Sequence, residues 1–543
     1  MRSPVTELLL GDEAVALAAL DAGIAGAFSY PGTPSTEIFE FVQLRTADRD
    51  DVSAHWSANE KVAFEEAMGM SYAGRRALVS MKHVGLNVAA DPFMSSALTG
   101  ANGGLVLAVA DDPGMHSSQN EQDSRYLSEF GLVPLFEPAD QQECYDATLA
   151  AFELSEQLGT PVMVRLVTRL AHSRAIVHRR EDLMARGAPG EPLPYPDWKD
   201  WTLLPVNARR RYAEVVAKQP QLAELSDASP FNKLELSGHH GVIAAGIAIN
   251  YVKEVLGDDA DVSLLKLGTY PLPVSAIRRL VDHCDDVLVV EEGYPFIESR
   301  LNGLLGLPGK AIRGRLSGDL PRTGELSTDA VARALGRPVS VDVEVEEHLA
   351  GRPPRLCRGC PHTDTYRAIG AAAETLGGAR LFGDIGCYTL GALPPLGAMH
   401  TCVDMGASIS LAHGASQAGV RPVLAIIGDS TFIHSGMTPL IGAVRRDADM
   451  TVIIADNETV AMTGTQQSMA TGGELVNILR GLGVDDEHLH MVEPIPKNHG
   501  AISELLEREM AHPGLSVIVA RRECIQATRR ASEQRRDTAD ALS

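Results

Sequence analysis

The chain has 543 residues, room for roughly three or four domains of about 150 residues each. Its 45% apolar and 22% charged content is the balance of an ordinary globular protein. The formal charge of -23 argues against a nucleic-acid partner, because phosphate binding needs a basic face, and no window of about 18 residues is apolar and uncharged enough to span a membrane.

The first residues, MRSPVTELLLGDEAVALAAL, carry acids through their apolar part and lack a small-residue cleavage site, so they read as mature protein in the cytoplasm. From residue 1 to about 181, apolar runs such as AGAFSYPGTPS, RALVSMKHVG, GLVLAVADDPG and PVMVRLV alternate with helical patterns, which predicts parallel βαβ units. The texture changes over 182–232, where GAPGEPLPYPDWKDW and then a polar helical stretch suggest a connecting arm. A smaller α/β block follows over 233–340, with strands expected at DVSLLKLG and DVLVVEEG. After the boundary EEHLAGRPPRL, the block 341–543 returns to the βαβ texture. The expected architecture is α/β, three domains with doubly wound parallel sheets.

Within the last block, RPVLAIIGDS reads as a strand entering a turn, SGMTPLIGAVRRD as the next helix and MTVIIADNE as the next parallel strand. Ligands of open α/β sheets bind at strand carboxyl ends, so Asp429 and Asn457, 28 positions apart, are expected to meet across one crevice. Gly428 permits close backbone approach there, and the following helix N-terminus favours an anion. A hard divalent cation would take a carboxylate, an amide oxygen, a backbone carbonyl and diphosphate oxygens. Upstream, SANEKVAFEEAMGMSYAG places Glu60 in the first turn of a helix, at capping-box spacing from Ser57.

Gly428-Asp429-Ser430, followed after 26 residues by Asn457, resembles the thiamine diphosphate motif, with Ser430 and Asp456 as departures from its usual glycine and asparagine. The segments SYPGTPSTEIFEF, ANEKVAFEEAMGMSYAGRRALVSMKHVGLNVAADP and ADDPGMHSSQNEQDSRY look like the N-terminal domain of 2-oxoacid:ferredoxin oxidoreductases, closest to indolepyruvate ferredoxin oxidoreductase alpha subunits. The resemblance implies a transketolase-like thiamine diphosphate fold, with a pyrimidine-binding domain at 1–181, a transketolase C-terminal-like domain at 233–340 and a diphosphate-binding domain at 341–543. By it, Asp429, Asn457 and the Thr459 carbonyl bind Mg²⁺, while Gly428, Ser430, Met405 and Gly406 line the cofactor. Glu60 activates thiamine diphosphate, Thr33 lies near the substrate, and Lys82, His83 and Arg125 are candidates for holding its carboxylate.

Seven cysteines do not make a disulfide framework in a chain this long. Cys357 and Cys360 in LCRGCPHTD, Cys387 in GDIGCYTLGALPP and Cys524 after the last expected strand form C-x₂-C-x₂₆-C with a distant fourth thiol. That set suits a [4Fe–4S] cluster, with a four-thiolate zinc site as the chemical alternative. The resemblance makes them ligands of the cluster nearest the thiamine, with Arg358 as an extra charge beside it. Cys144, Cys284 and Cys402 are expected to be buried structural thiols. The tail IQATRRASEQRRDTADALS holds no ferredoxin-like C-x₂-C-x₂-C-x₃-C-P run. The implied activity is oxidative decarboxylation of 2-oxo acids, specifically aryl pyruvates such as indolepyruvate, to acyl-CoA, with electrons passing through the cluster to ferredoxin or a similar carrier. The implied partners are coenzyme A and a smaller beta subunit, in an (αβ)₂ assembly or on a homodimer core. A non-oxidative thiamine-dependent decarboxylase or carboligase, and a non-catalytic zinc-binding subunit, are the rival expectations.

Overall fold

Runs such as Leu105–Asp111 and Val162–Val167 are buried at every position, the pattern of parallel strands covered on both faces. They lie at the centre of a seven-stranded sheet in the computed structural model, which describes residues 6–180, 194, 197–257, 261–339, 354–530 and 532. Most of the expected boundary EEHLAGRPPRL, the first part of the expected arm and the end of the basic tail, with Arg535 and Arg536, lie outside the described residues. The chain divides into two compact units, Met1–Glu344 and Val345–Ser543.

Among the described residues the first unit holds two large sheets and a two-stranded antiparallel pair, Thr6–Leu10 with Arg174–His178. One runs Thr269–Tyr270, Leu135–Phe136, Val162–Val167, Leu105–Asp111, Ala77–Lys82, Gly26–Ser29, Ser53–Trp56, parallel except at its Thr269–Tyr270 edge. The other runs Ala311–Arg313, Asp286–Val290, His240–Ala245, Val262–Leu267, Lys233–Glu235, with only the last pairing antiparallel. Both strands expected between 233 and 340 are present. That block is not separate, however: Val242 and Leu288 share one apolar cluster with Val106 and Val164, and Thr269–Tyr270 extends the first sheet.

A buried ionic network joins the two sheets as well. Arg165 binds Asp111 at 2.6 Å and Glu137 at 2.5 Å, and Arg125 binds Asp123 at 2.5 Å and Glu291 at 2.9 Å. The described part of the arm is tied down rather than free. Its helix Pro205–Asp227 sends Arg211 to the carbonyls of Leu98 and Thr99 at 2.7 and 2.9 Å, completing the C-terminal end of helix Ala90–Thr99.

The second unit is built on one five-stranded sheet, all parallel, in the order Arg380–Gly383, Val423–Gly428, Met450–Asp456, Leu515–Arg521, Leu489–Val492. Apolar clusters cover both faces, one around Ile427, Val452 and Leu440, the other around Ile426, Ile453 and Tyr366. Helix Met437–Arg445 follows Val423–Gly428 as expected, entered through a wider π-helical turn at Phe432–Gly436. This sheet is the frame of the diphosphate motif, because Asp429 and Asn457 each begin where an adjacent parallel strand stops.

Candidate active site

In the first unit, the expected residues gather at the carboxyl edge of the seven-stranded sheet. Glu60 opens helix Glu60–Tyr72 and is 5% exposed. The capping box expected between Ser57 and Glu60 is not formed: Asn59 is the cap, accepting the Val62 amide at 2.9 Å, while Ser57 Oγ donates to Glu66. An Asn directly before the first turn wins over a Ser two residues further out, and the Glu60 side chain turns toward Gly85. A Cβ there would stand 2.7 Å from Glu60 Cγ and Oε1.

Around Glu60 lie Lys82, at the end of strand Ala77–Lys82, and the loop carrying Thr33. Burial lowers the Lys82 ammonium to about 8, against the opposing pull of Asp112 and Glu60. Its Nζ donates to the Ser117 carbonyl at 3.1 Å, and Ser117 Oγ donates to the Thr33 carbonyl at 3.0 Å. Burial raises Asp112, but hydrogen bonds from the Ser117 amide, Ser118 and Thr168, together with Lys82, outweigh that and hold it low. Asp112, in ADDPG, was not among the expected site residues; its signal is its place one residue beyond strand Leu105–Asp111.

His83 is buried, with Nε2 3.1 Å from the Asn120 carbonyl and Nδ1 without a hydrogen-bond partner among the described residues. The Arg125 side chain has no exposed surface, and its guanidinium is engaged by Asp123 and Glu291 in a buried ion-pair network.

In the second unit, the register Gly428↔Ala455 brings the two motif ends side by side. The Asn457 amide atom facing Asp429 lies 3.2 Å from its Oδ1 and 2.8 Å from the Thr459 carbonyl oxygen. Donation by the amide nitrogen satisfies this cluster without a cation; presented as oxygen, the same atom makes three converging ligands. Cis oxygens on Mg²⁺ at about 2.1 Å lie about 3 Å apart, which these separations match. Asp429 Oδ2 is buried without a hydrogen-bond partner among the described residues, and burial followed by the Asp456 charge pushes the carboxyl up to about 7. The donor set and this orphaned oxygen fit a divalent cation.

The departures from the usual motif have local reasons. Asp456 accepts the Gly472 amide at 2.7 Å and the Glu458 amide at 3.3 Å, holding the chain at the start of helix Gly472–Gly481. Gly428 is needed for more than ligand approach, since a Cβ there would stand 2.8 Å from the Tyr388 ring. Gly406, at φ +91°, precedes helix Ala407–Gln417, and a Cβ on it would meet the Ser435 backbone at 2.9 Å. Asp384, not anticipated, accepts the Ser408 amide and hydroxyl at 3.2 and 2.7 Å, and burial raises it to about 6.

The four expected thiols share this end of the sheet. Cys360 caps helix Pro361–Thr375, Cys387 starts the turn Cys387–Ala392, and Cys524 follows strand Leu515–Arg521. Burial, and then the charges of Cys360, Cys524 and Cys357, push the Cys387 thiol up to about 12, so the four sulfurs form one electrostatic neighbourhood. Asn457 connects it to Asp429: its carbonyl accepts the Cys524 amide at 3.1 Å, and its side chain lies 3.4 Å from Nε2 of buried His362, two residues after Cys360. Cys144 and Cys284 are buried as expected, but Cys402 is exposed.

Residues 17–189 match the family described as pyruvate flavodoxin/ferredoxin oxidoreductase, thiamine diphosphate-binding, and residues 384–520 match the C-terminal TPP-binding domain of thiamine pyrophosphate enzymes. Fold, site and matches together define a thiamine diphosphate-dependent 2-oxo acid oxidoreductase. The chain is 39% identical to indolepyruvate oxidoreductase subunit IorA of Archaeoglobus fulgidus over 95% of its own length and 86% of that protein. Against the proteins of that name from Methanothermobacter marburgensis and Pyrococcus abyssi, identity is 38% and 37%, over 95% and 97% of this chain and 86% and 87% of theirs. The chain belongs to the indolepyruvate oxidoreductase subunit IorA family.

Proposed function

We propose that the chain is the thiamine-bearing subunit of an oxidative decarboxylase acting on aryl pyruvates such as indolepyruvate, with coenzyme A as acyl acceptor and a smaller beta subunit as partner. The convergence of the Asp429, Asn457 and Thr459 oxygens beside the orphaned Asp429 oxygen carries this reading. Those groups would hold Mg²⁺ and, through it, the diphosphate. Thiamine diphosphate, when bound, supplies the carbanion chemistry that releases CO₂ from a 2-oxo acid. Glu60 holds a carboxyl group for proton exchange with the cofactor's pyrimidine ring. The loop of Thr33, with Lys82 and His83 beside it, offers polar groups to the substrate.

The thiol set favours oxidation over the non-oxidative alternative. Four thiolates in the pattern C-x₂-C-x₂₆-C with a distant fourth suit a [4Fe–4S] cluster, which would take the electrons released on decarboxylation and pass them to ferredoxin or a similar carrier. Exposed Cys357 lines a cavity of about 560 Å³ together with Arg355, Arg358, Gln526 and Arg529, which suits an acidic carrier.

The test is anaerobic preparation followed by addition of indolepyruvate. The iron–thiolate absorbance is expected to bleach. Asp429→Ala should weaken Mg²⁺-dependent thiamine diphosphate binding at least about 100-fold, the loss of a charged metal ligand, while iron and sulfide content stay unchanged. A colourless, iron-free protein that still releases CO₂ would instead establish the non-oxidative reaction.

A further inference from the structure

A second group of ligating side chains lies in the first unit, apart from the residues assigned above. Asp12 sits in the first turn of helix Gly11–Asp21, Glu37 in the first turn of helix Thr36–Arg45, and His172 ends helix Thr168–His172. One ligand atom from each lies within 4.8 Å of the other two. Asp12 has no exposed surface, and neither of its carboxylate oxygens has a hydrogen-bond partner among the described residues. Glu37 Oε2 also lacks a directed hydrogen bond, with His172 Nε2 3.4 Å away as an ion-pair contact. A buried carboxylate with both oxygens unsatisfied is costly, and either a proton or a cation must compensate it.

We infer that Asp12, Glu37 and His172 form a structural site for a first-row divalent ion such as Mn²⁺ or Zn²⁺. Two carboxylates neutralise the ion, and the imidazole selects it over Ca²⁺, which prefers oxygen donors throughout. Glu37 and His172 keep 35% and 34% of their side-chain surface exposed, which gives the ion a path in. The ion would fasten three helices at one point. Glu37 lies four residues beyond Thr33, and Thr168, at the head of the His172 helix, donates to Asp112 at 2.7 Å. The site therefore braces the loop that presents Thr33 from behind.

Mn²⁺ tests this well, because thiolates bind it weakly. In the full-length Asp429→Asn protein, which removes the charged ligand of the other cation site, equilibrium dialysis read by electron paramagnetic resonance should find one Mn²⁺ per chain. Adding Asp12→Asn should weaken that binding at least tenfold, and adding His172→Gln should do the same. His172→Gln alters a partly exposed side chain, so it decides the matter if the Asp12 variant fails to fold. Absence of bound Mn²⁺ in the Asp429→Asn protein, or equal affinity with and without either added substitution, overturns the site.

Discussion

Glu60 and Gly85 are a pair in which a single methyl group separates catalysis from stability. Gly85 lies inside helix His83–Val88, where alanine is favoured over glycine by about 1 kcal/mol, so Gly85→Ala should not lower the melting temperature through the helix itself. Its Cβ would, however, occupy space now within 2.7 Å of Glu60 Cγ and Oε1, and the flexible carboxylate must swing away. The expected result is a kcat reduced more than tenfold, a barrier increase of about 1.4 kcal/mol, with Glu60→Gln as the reference for full loss. A Gly85→Ala enzyme within twofold of the wild type would refute the placement of Glu60. Arg125 invites the opposite experiment. As a fully buried partner of Asp123 and Glu291, its replacement by Met should destabilise the first unit by roughly 3–5 kcal/mol in denaturant unfolding, because the acids are left uncompensated. A substrate contact would instead raise KM at unchanged stability. Both residues were visible in the sequence, but the burial of Arg125 among acids was not. An arginine shows its charge in the sequence and hides its partners, two of which here come from elements more than 130 residues apart, Asp123 and Glu291.

At the scale of elements, the strand ends were legible because runs such as VLAIIG and MTVIIA are almost wholly apolar, and the acid that follows each, Asp429 and Asp456, falls at the sheet edge. The helix caps were less so, since Ser57 and Asn59 compete for one role and local sequence does not rank them. Still less legible was the clamp at Glu509, which no motif announces. Its carboxylate accepts His488 Nδ1 at 2.8 Å, His490 Nε2 at 2.9 Å and Ser516 Oγ at 2.9 Å, fixing helix His499–Ala511 to strands Leu489–Val492 and Leu515–Arg521. Burial opposes its ionisation, but His488, Ser516, His490 and Arg508 outweigh burial and lower the group to about 2. A carboxylate depressed on folding contributes stability that is complete above its unfolded pKa of about 4.3 and declines as pH falls toward the folded value. Urea midpoints of the wild type and Glu509→Gln should therefore differ most at pH 6 and draw together as pH falls from about 4.5 toward 2. A gap that does not change with pH would show that the clamp acts by shape and not by charge.

For the molecule as a whole, the three expected domains become three large sheets in two units, because the block 233–340 meets the first sheet through buried charged residues as well as apolar ones. Glu291 and Glu292 in DVLVVEEG are each 1% exposed, opposite Arg125 and Arg315. Charge is also the property by which whole-molecule and local behaviour diverge. With 48 basic and 71 acidic residues, the chain as a whole repels an acidic carrier, whereas Arg355, Arg358 and Arg529 ring the cavity at Cys357. Long-range repulsion between separated charges is screened over about 8 Å at physiological ionic strength, while contacts in a docked complex are screened less. Reduction of ferredoxin should accordingly pass through a maximum as salt is raised: modest salt removes the general repulsion, and high salt then weakens the arginine contacts. The double variant Arg355→Glu/Arg529→Glu should lose about tenfold in kcat/KM for ferredoxin, a loss of about 1.4 kcal/mol in encounter and docking, and the descending limb should vanish with it. Methyl viologen, a cationic acceptor, provides the control, since its reduction gains nothing from the arginines. Equal loss with both acceptors would mean that the substitutions disturb the thiol set itself, and an unchanged ferredoxin rate would place the electron exit elsewhere on the surface.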